Sequence, residues 1–217
     1  MQTSRRSILK GGILASLAGT MGATAMSASA AEKQAALPKK EYDLVICGLG
    51  IGGIVTAIRA AEDGLKPVIL EKMSSASGNT IYSAGFMLGV NTKMQQEKKL
   101  ETGDTVDKFY EDMMKVSQGR GDPKLTRLVA EKADETLNWL HDYVGVKYAV
   151  GMKLVWPMLQ RAHLTIGEKK PGGTQLMLYL LAKAKELNVP IVYNAKAVEL
   201  LDNPQNGKVI GVKVKTK

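Results

Sequence analysis

Three glycines and one acid hold the most legible chemistry in this 217-residue chain. Gly48-x-Gly50-x-x-Gly53 follows the apolar run Tyr42-Asp43-Leu44-Val45-Ile46-Cys47. Ile54, Val55, Ala57, Ile58 and Ala61 then recur at helical spacing up to Gly64. Strand, glycine turn and helix in that order form a site for the pyrophosphate of a dinucleotide. Gly48 allows the tight turn, Gly50 lets phosphate approach the backbone, and Gly53 permits close packing of helix on strand. The helix N-terminus adds free N–H groups and a partial positive charge. Pro67-Val68-Ile69-Leu70-Glu71 reads as a second buried strand and completes a βαβ unit. Glu71 stands eighteen residues after Gly53, where a carboxylate meets an adenosine ribose. Such an acid suits NAD or FAD and disfavours NADP.

The glycine turn alone does not choose between nicotinamide and flavin. The next strand of parallel type, Ile191-Val192-Tyr193, comes about 120 residues after Glu71. A nicotinamide domain has its third strand sooner, so the long insertion favours a flavoprotein. Within it, 72–89 is rich in Ser, Gly and Asn and reads as loop, and 104–118 and 123–143 read as helices. In the second helix Leu125, Leu128, Val129, Ala133, Leu137 and Leu140 form the expected inward stripe. Asp122 is its N-cap, Pro123 its first residue, and Gly145 fits its end. Residues 151–173 show no clear period, and 174–187 read as a third amphipathic helix. Residues 196–201 and 209–215 alternate as a hairpin around Asn203-Pro204-Gln205-Asn206-Gly207.

Composition sets limits on the rest. With 45% hydrophobic and 24% charged residues the chain has a globular balance, neither disordered nor collagen-like. The one cysteine, Cys47, rules out a disulfide framework within the chain and a multi-cysteine metal site; no metal is expected. Its place at a strand end makes it a small core residue. The eleven methionines read as core filler. His141 lies near a helix end. His163, close to Arg161, reads first as structural, with a place in an active-site cleft as the alternative. The formal charge is +9, but the basic residues are scattered and aromatics make up 5%, so no nucleic-acid partner is expected. An anionic substrate is compatible with the excess.

The segment after Glu71, Lys72-Met73-Ser74-Ser75-Ala76-Ser77-Gly78-Asn79-Thr80 and then Ser83-Ala84-Gly85, resembles the E-K…G-G-N-T…G-G-M stretch of the fumarate reductase/flavocytochrome c flavoproteins. That superfamily also holds urocanate and other enoate reductases and ketosteroid dehydrogenases. Phe109-Tyr110-Glu111-Asp112-Met113-Met114-Lys115 with Gly119 and Asp122-Pro123, Asn138-Trp139-Leu140, and Arg161-Ala162-His163 with Gly172-Gly173 are similar to further stretches of the same family. The resemblance spans 41–217. It implies a fold of the α/β class: a Rossmann-like FAD-binding domain with a helical insertion after the second strand and a β-hairpin near the C-terminus.

It also implies roles. Gly48, Gly50, Ile51, Gly52 and Gly53 would hold the FAD pyrophosphate, and Glu71 the adenosine ribose. Asn79, Thr80, Ala84 and Gly85 would run along the riboflavin, and Val198 would offer backbone near adenine. Some relatives link FAD through a histidine in the Asn79 loop; none is present there, so the FAD is expected to be non-covalent. Ser77 and Phe86 depart from a usual Gly and Met, and Phe86 would narrow the flavin or substrate side. The implied reaction is reduction of the C=C bond of a small unsaturated carboxylate. With no C-x-x-C-H haem site in the chain, the implied donor is a periplasmic or membrane-attached protein such as a c-type cytochrome. The residues that grip and protonate the substrate fall, in the family, beyond the position of Lys217.

Ser4-Arg5-Arg6-Ser7-Ile8-Leu9-Lys10, a mild apolar stretch over 11–27 and Ala28-Ser29-Ala30 resemble a twin-arginine export signal with its cleavage site. A general secretory signal and an uncleaved anchor are the alternatives. This reading makes 1–30 a signal, 31–40 a linker and 41–217 the FAD-binding domain, located in the periplasm. Loss of Arg5, Arg6 and Lys10 leaves 27 basic and 21 acidic residues, a charge of +6. The chain stops in the second hairpin strand, so it reads as the N-terminal portion of a longer enzyme. A non-catalytic FAD-binding module that needs a second chain is the alternative. An NAD-dependent dehydrogenase fits less well, for want of an early third strand.

Overall fold

The computed structural model describes residues 41–76, 78–100, 103–152, 156, 159–168 and 171–216. The expectations for 1–30, for the linker 31–40 and for Ser77 lie outside the described residues. Two parallel strands, β1 (Leu44–Cys47) and β2 (Pro67–Leu70), pair from Leu44↔Pro67 to Cys47↔Leu70, joined by helix α1 (Ile51–Glu62). This is the expected βαβ unit. A third parallel strand, β6 (Ile191–Val192), joins the far side of β2 through Ile69↔Ile191 and Leu70↔Val192, so the sheet order is β1-β2-β6.

All four residues of β2 are buried, because both faces of the sheet are covered. Ile69 belongs to the main core with Ile54, Ala57 and Ile58 of α1 and Leu176, Met177 and Leu180 of helix α6 (Gly173–Glu186). Val68 and Leu70 face the other way, onto Ala195, Val212 and Val214 of a hairpin. The hairpin strands are β7 (Ala195–Asp202) and β8 (Val209–Thr216), where a hairpin is expected. Strand β1 pairs with β2 alone among the described residues. This corrects the expectation for Cys47, which is exposed on that open edge rather than buried.

The insertion between β2 and β6 contains a second sheet of order β3-β5-β4, antiparallel throughout. Its strands are β3 (Phe86–Leu88), β4 (Lys147–Val150) and β5 (Ala162–Ile166). The stretch 72–89 is therefore not all loop: it carries α2 (Asn79–Tyr82) and β3. After β3 comes the short helix α3 (Lys93–Glu97). Its Thr92-x-x-Gln95 capping box is complete, Thr92 Oγ1 accepting from Gln95 N–H and Gln95 Oε1 from Thr92 N–H.

Helices α4 (Val106–Val116) and α5 (Pro123–Asp142) occupy the predicted spans, and Asp122 caps α5 by accepting from the Lys124 and Leu125 N–H groups. The inward stripe of α5 is rotated from the expected one. Ala130, Leu137 and Leu140 are buried, whereas Leu125, Leu128 and Val129 are at least half exposed. Helix α4 sets the rotation: Phe109, Tyr110 and Met113 pack on Ala130 and Ala133, and Arg127 lies 4.0 Å over the Tyr110 ring. Small residues take the close approach that leucines would block. His141 lies in the last turn of α5, and its Nδ1 is 2.9 Å from the Val146 carbonyl in the segment after the helix rather than from one of the helix's last carbonyls.

Arg161, just before β5, is almost wholly buried. Its guanidinium pairs with Asp104 (Nη2 to Oδ1, 2.7 Å, and Nε to Oδ2) and with Asp112 Oδ2 at 2.8 Å, and lies 5.0 Å over the Phe109 ring. Trp156 Nε1–H donates to the other Asp112 oxygen at 2.9 Å. Burial works to raise the Asp112 pKa, but the Trp156 and Arg161 donors overcome it and hold the carboxyl below its ordinary value. One cation thus ties the segment before α4, and α4 itself, to β5. Arg161→Met would strand two acids, so denaturant unfolding should show a loss of about 3–5 kcal/mol.

Candidate functional site

The glycine turn sits at the C-terminal end of β1, where an open parallel sheet binds ligands. Gly48 has φ +107°, a conformation costly for any other residue, and its N–H donates to the Leu70 carbonyl at 2.8 Å. Gly53 faces inward: a Cβ there would lie 2.1 Å from the Gly48 carbonyl oxygen. Gly50 and Gly52 face outward. A Cβ at Gly50 meets nothing nearer than Thr80 Oγ1 at 3.9 Å, and one at Gly52 meets nothing within 4 Å. The turn therefore leaves open space over the first N–H groups of α1, where no carbonyl of the helix can accept them. That space and those donors fit a pyrophosphate.

Two side chains brace the turn. The Glu71 carboxylate is buried, with Oε2 accepting from Leu49 N–H and Oε1 from Met73 N–H, both at 2.8 Å. A carboxylate has about four acceptor sites, so two bonds leave capacity for ribose hydroxyls. Thr80 Oγ1 accepts from Ile51 N–H at 3.0 Å and so places α2 against the start of α1. The structure thus brings Gly48, Gly50, Ile51, Gly52, Gly53, Glu71 and Thr80 together. Asn79 is on the exposed side of α2.

Ala84 and Gly85 follow α2 and rest on a clamp that sequence reasoning noted only as a motif, Gly172-Gly173. A Cβ on Gly173 would lie 1.7 Å from the Thr80 carbonyl oxygen, and one on Gly85 would lie 2.3 Å from Gly172 Cα. Backbone bonds close the contact: Gly173 N–H donates to Ser83 O (3.0 Å), Thr165 N–H to Gly85 O (3.1 Å) and Gly172 N–H to Thr165 O (3.0 Å). Thr174 Oγ1–H adds a bond to Ile81 O at 3.0 Å. The paired glycines were the available signal. Phe86 begins β3 opposite Leu164 and is partly exposed.

Val198 stands apart from this cluster. The hairpin touches Glu71 through Ala195, whose N–H donates to Glu71 O at 2.8 Å. Val198 is three residues further on, exposed, and falls at the register shift between Ala197 and Glu199. A bulge residue is left out of the regular ladder.

His163 is not in a cleft. It is fully buried in β5. Nδ1–H donates to the Arg161 carbonyl at 2.8 Å, which leaves Nε2 to accept the Thr92 hydroxyl at 2.7 Å. Gln95 extends the network from its amide to the carbonyls of Gln160 (2.9 Å) and Gly89 (3.3 Å). The structural reading of His163 holds, and the ring locks β5 to the α3 cap.

Residues 43–217 match the FAD binding domain family. The chain is 30% identical over 187 residues to the fumarate reductase (cytochrome) of Shewanella frigidimarina, an alignment covering 85% of this chain and 32% of that protein. It is 32% identical over 180 residues to the urocanate reductase of Eggerthella lenta, covering 80% and 28%. The open conformation of a flavocytochrome c3 fumarate reductase superposes with a TM-score of 0.72 at 28% identity, over 83% of this chain and 31% of that one. The chain spans about a third of the length of the curated relatives it matches.

Two outcomes follow from the packing. Gly173→Ala should cost about 2 kcal/mol or more in thermal unfolding, because backbone stands where the methyl would go, while Gly52→Ala should stay within about 0.5 kcal/mol of wild type. Burial holds the His163 pKa below its ordinary 6.5, against the opposing pull of the Arg161 and Met87 carbonyls. The unfolded chain then takes up a proton that the folded chain refuses, so the stability present above 6.5 is lost as pH falls toward the folded value. Unfolding midpoints at about pH 7.5 and about pH 5.5 should show this fall, and His163→Gln should flatten it.

Proposed function

We propose, on the premise that the chain belongs to the FAD binding domain family, that it is the cofactor-holding part of an exported reductase of unsaturated carboxylates. FAD is the cofactor, and the neighbouring enzymes are FAD-dependent oxidoreductases of the fumarate reductase type. The observation that carries the reading is the open glycine turn at the start of α1, braced from one side by Glu71 and from the other by Thr80.

In this reading the turn formed by Gly48, Gly50, Ile51, Gly52 and Gly53 receives the pyrophosphate; the Gly48 and Ile51 N–H groups are held by Leu70 O and Thr80 Oγ1, so the donors are the remaining N–H groups at the start of α1. Glu71 accepts from the adenosine ribose through its remaining lone pairs, and the Val198 backbone lies near adenine. Asn79, Thr80, Ala84 and Gly85 line the riboflavin side. Cofactor attachment is non-covalent, since no histidine stands between Lys72 and Gly89. When bound, the flavin supplies a hydride to an alkene activated by its carboxylate. The chain's own part is to hold the cofactor rigidly and shield it from one side. The groups that grip and protonate substrate belong to a longer protein. The similarity to a cytochrome-type fumarate reductase supports a cytochrome-like electron donor. The Arg5-Arg6 leader supports export to the periplasm, and among the described residues no helix is long and apolar enough to cross a membrane.

Purified 217-residue chain mixed with FAD and desalted should retain yellow flavin, released as intact FAD by acid. Retention of NAD and no flavin would sink the reading. Dye-coupled reduction of a panel of enoates by the longer native protein tests the reaction; bound FAD without any turnover would favour the non-catalytic module.

A further inference from the structure

We propose that the Tyr193 ring is the wall of the adenosine end of this site and sets how tightly the adenylate half of the cofactor is held. The proposal rests on the FAD reading above and names a residue toward one half of that ligand.

The placement follows from what each residue packs against, Tyr193 being the first residue after β6. Ile191 and Tyr193 pack on the main core beneath α1 and α6, while Val192 between them faces Val68 and Leu70 on the opposite side. On β2, Ile69 lies on the same face as Ile191, its register partner. Glu71 and Tyr193 are the first residues past β2 and β6, at the C-terminal end of the sheet. Glu71 confirms its side by accepting from the N–H of Leu49, a residue of the same core. Backbone bonds pin the pair: Glu71 N–H donates to Val192 O and Ala195 N–H to Glu71 O, both 2.8 Å, and Tyr193 lies between. Asn194 N–H then donates to Met73 O at 3.0 Å and fixes the rim on that side.

The chemistry fits an adenine nucleotide. The residue is half-buried and packs on the main core. Burial and the Glu71 carboxylate push the phenol pKa up from its ordinary value, at which the ring is already neutral near pH 7. The glycine turn takes the pyrophosphate on the β1 side of Glu71, so a ribose held by Glu71 directs its base toward β6. An aromatic wall is what a base with two π-faces requires.

The test titrates the full chain with FAD, with ADP (the adenylate half alone) and with FMN, which lacks it. Tyr193→Leu keeps apolar bulk for the core, Tyr193→Phe keeps the ring, and unfolding midpoints without ligand confirm the fold of each. Tyr193→Leu should weaken FAD and ADP by the same factor, about tenfold, with FMN unchanged and Tyr193→Phe near wild type. Unaltered ADP affinity in Tyr193→Leu, or equal losses for FAD and FMN, would overturn the assignment while leaving the FAD reading intact. A wild-type chain that holds no FAD would overturn both.

Discussion

At Gly53 and Gly173 the chain makes two approaches that no side chain can share. One sets the first turn of α1 on the Gly48 carbonyl, and the other sets the first turn of α6 on the Thr80 carbonyl. Protein interiors transmit small changes in volume, and backbone cannot move aside as a flexible side chain can. These two contacts therefore fix where both helices begin. The N–H groups of α1, the Thr80 hydroxyl and the Ala84-Gly85 segment take their positions from them.

The insertion makes the second contact possible. Strand β5 supplies one residue, Thr165, whose N–H and carbonyl bond Gly85 and Gly172 respectively. Strand β5 is itself held by two buried polar networks, the Arg161 pair of acids and the His163–Thr92–Gln95 chain. Buried charges and hydroxyls are costly unless satisfied, so these networks restrict β5 to one position. Polar groups that resemble catalytic machinery in the sequence thus support the Ala84-Gly85 segment from behind.

Much of this was legible in the sequence where local rules decide. The βαβ unit, the cap at Asp122, the late third strand and the hairpin all follow from patterns within a few residues, and the comparisons agree on family and fold. The departures arise where a distant neighbour decides. Leu125, Leu128 and Val129 satisfy helical spacing, yet α4 claims the adjacent face through Ala130 and Ala133. Cys47 sits in a continuous apolar run, but strand order leaves β1 at an edge. The pairing of Gly85 with Gly172 joins segments nearly ninety residues apart, and no period records it. The Thr92-x-x-Gln95 box was readable by rule and marks α3 in hindsight.

The position of β6 has a further consequence, in the order of events during folding. Ile69 pairs with Ile191, about 120 residues later, and parallel pairing gives no local turn to guide it. Strands β1 and β2 with α1 can form early from nearby sequence, but β2 must keep one edge waiting while the intervening chain is made and arranged. Loop-closure entropy is lost before that pairing returns anything. Glu71 is held in place from both sides of this late seam, by Leu49 from the early unit and by Val192 and Ala195 from the late one. The Glu71 carboxylate is thus a reporter of completed assembly: its full set of backbone partners exists only after the longest-range pairing in the sheet has closed.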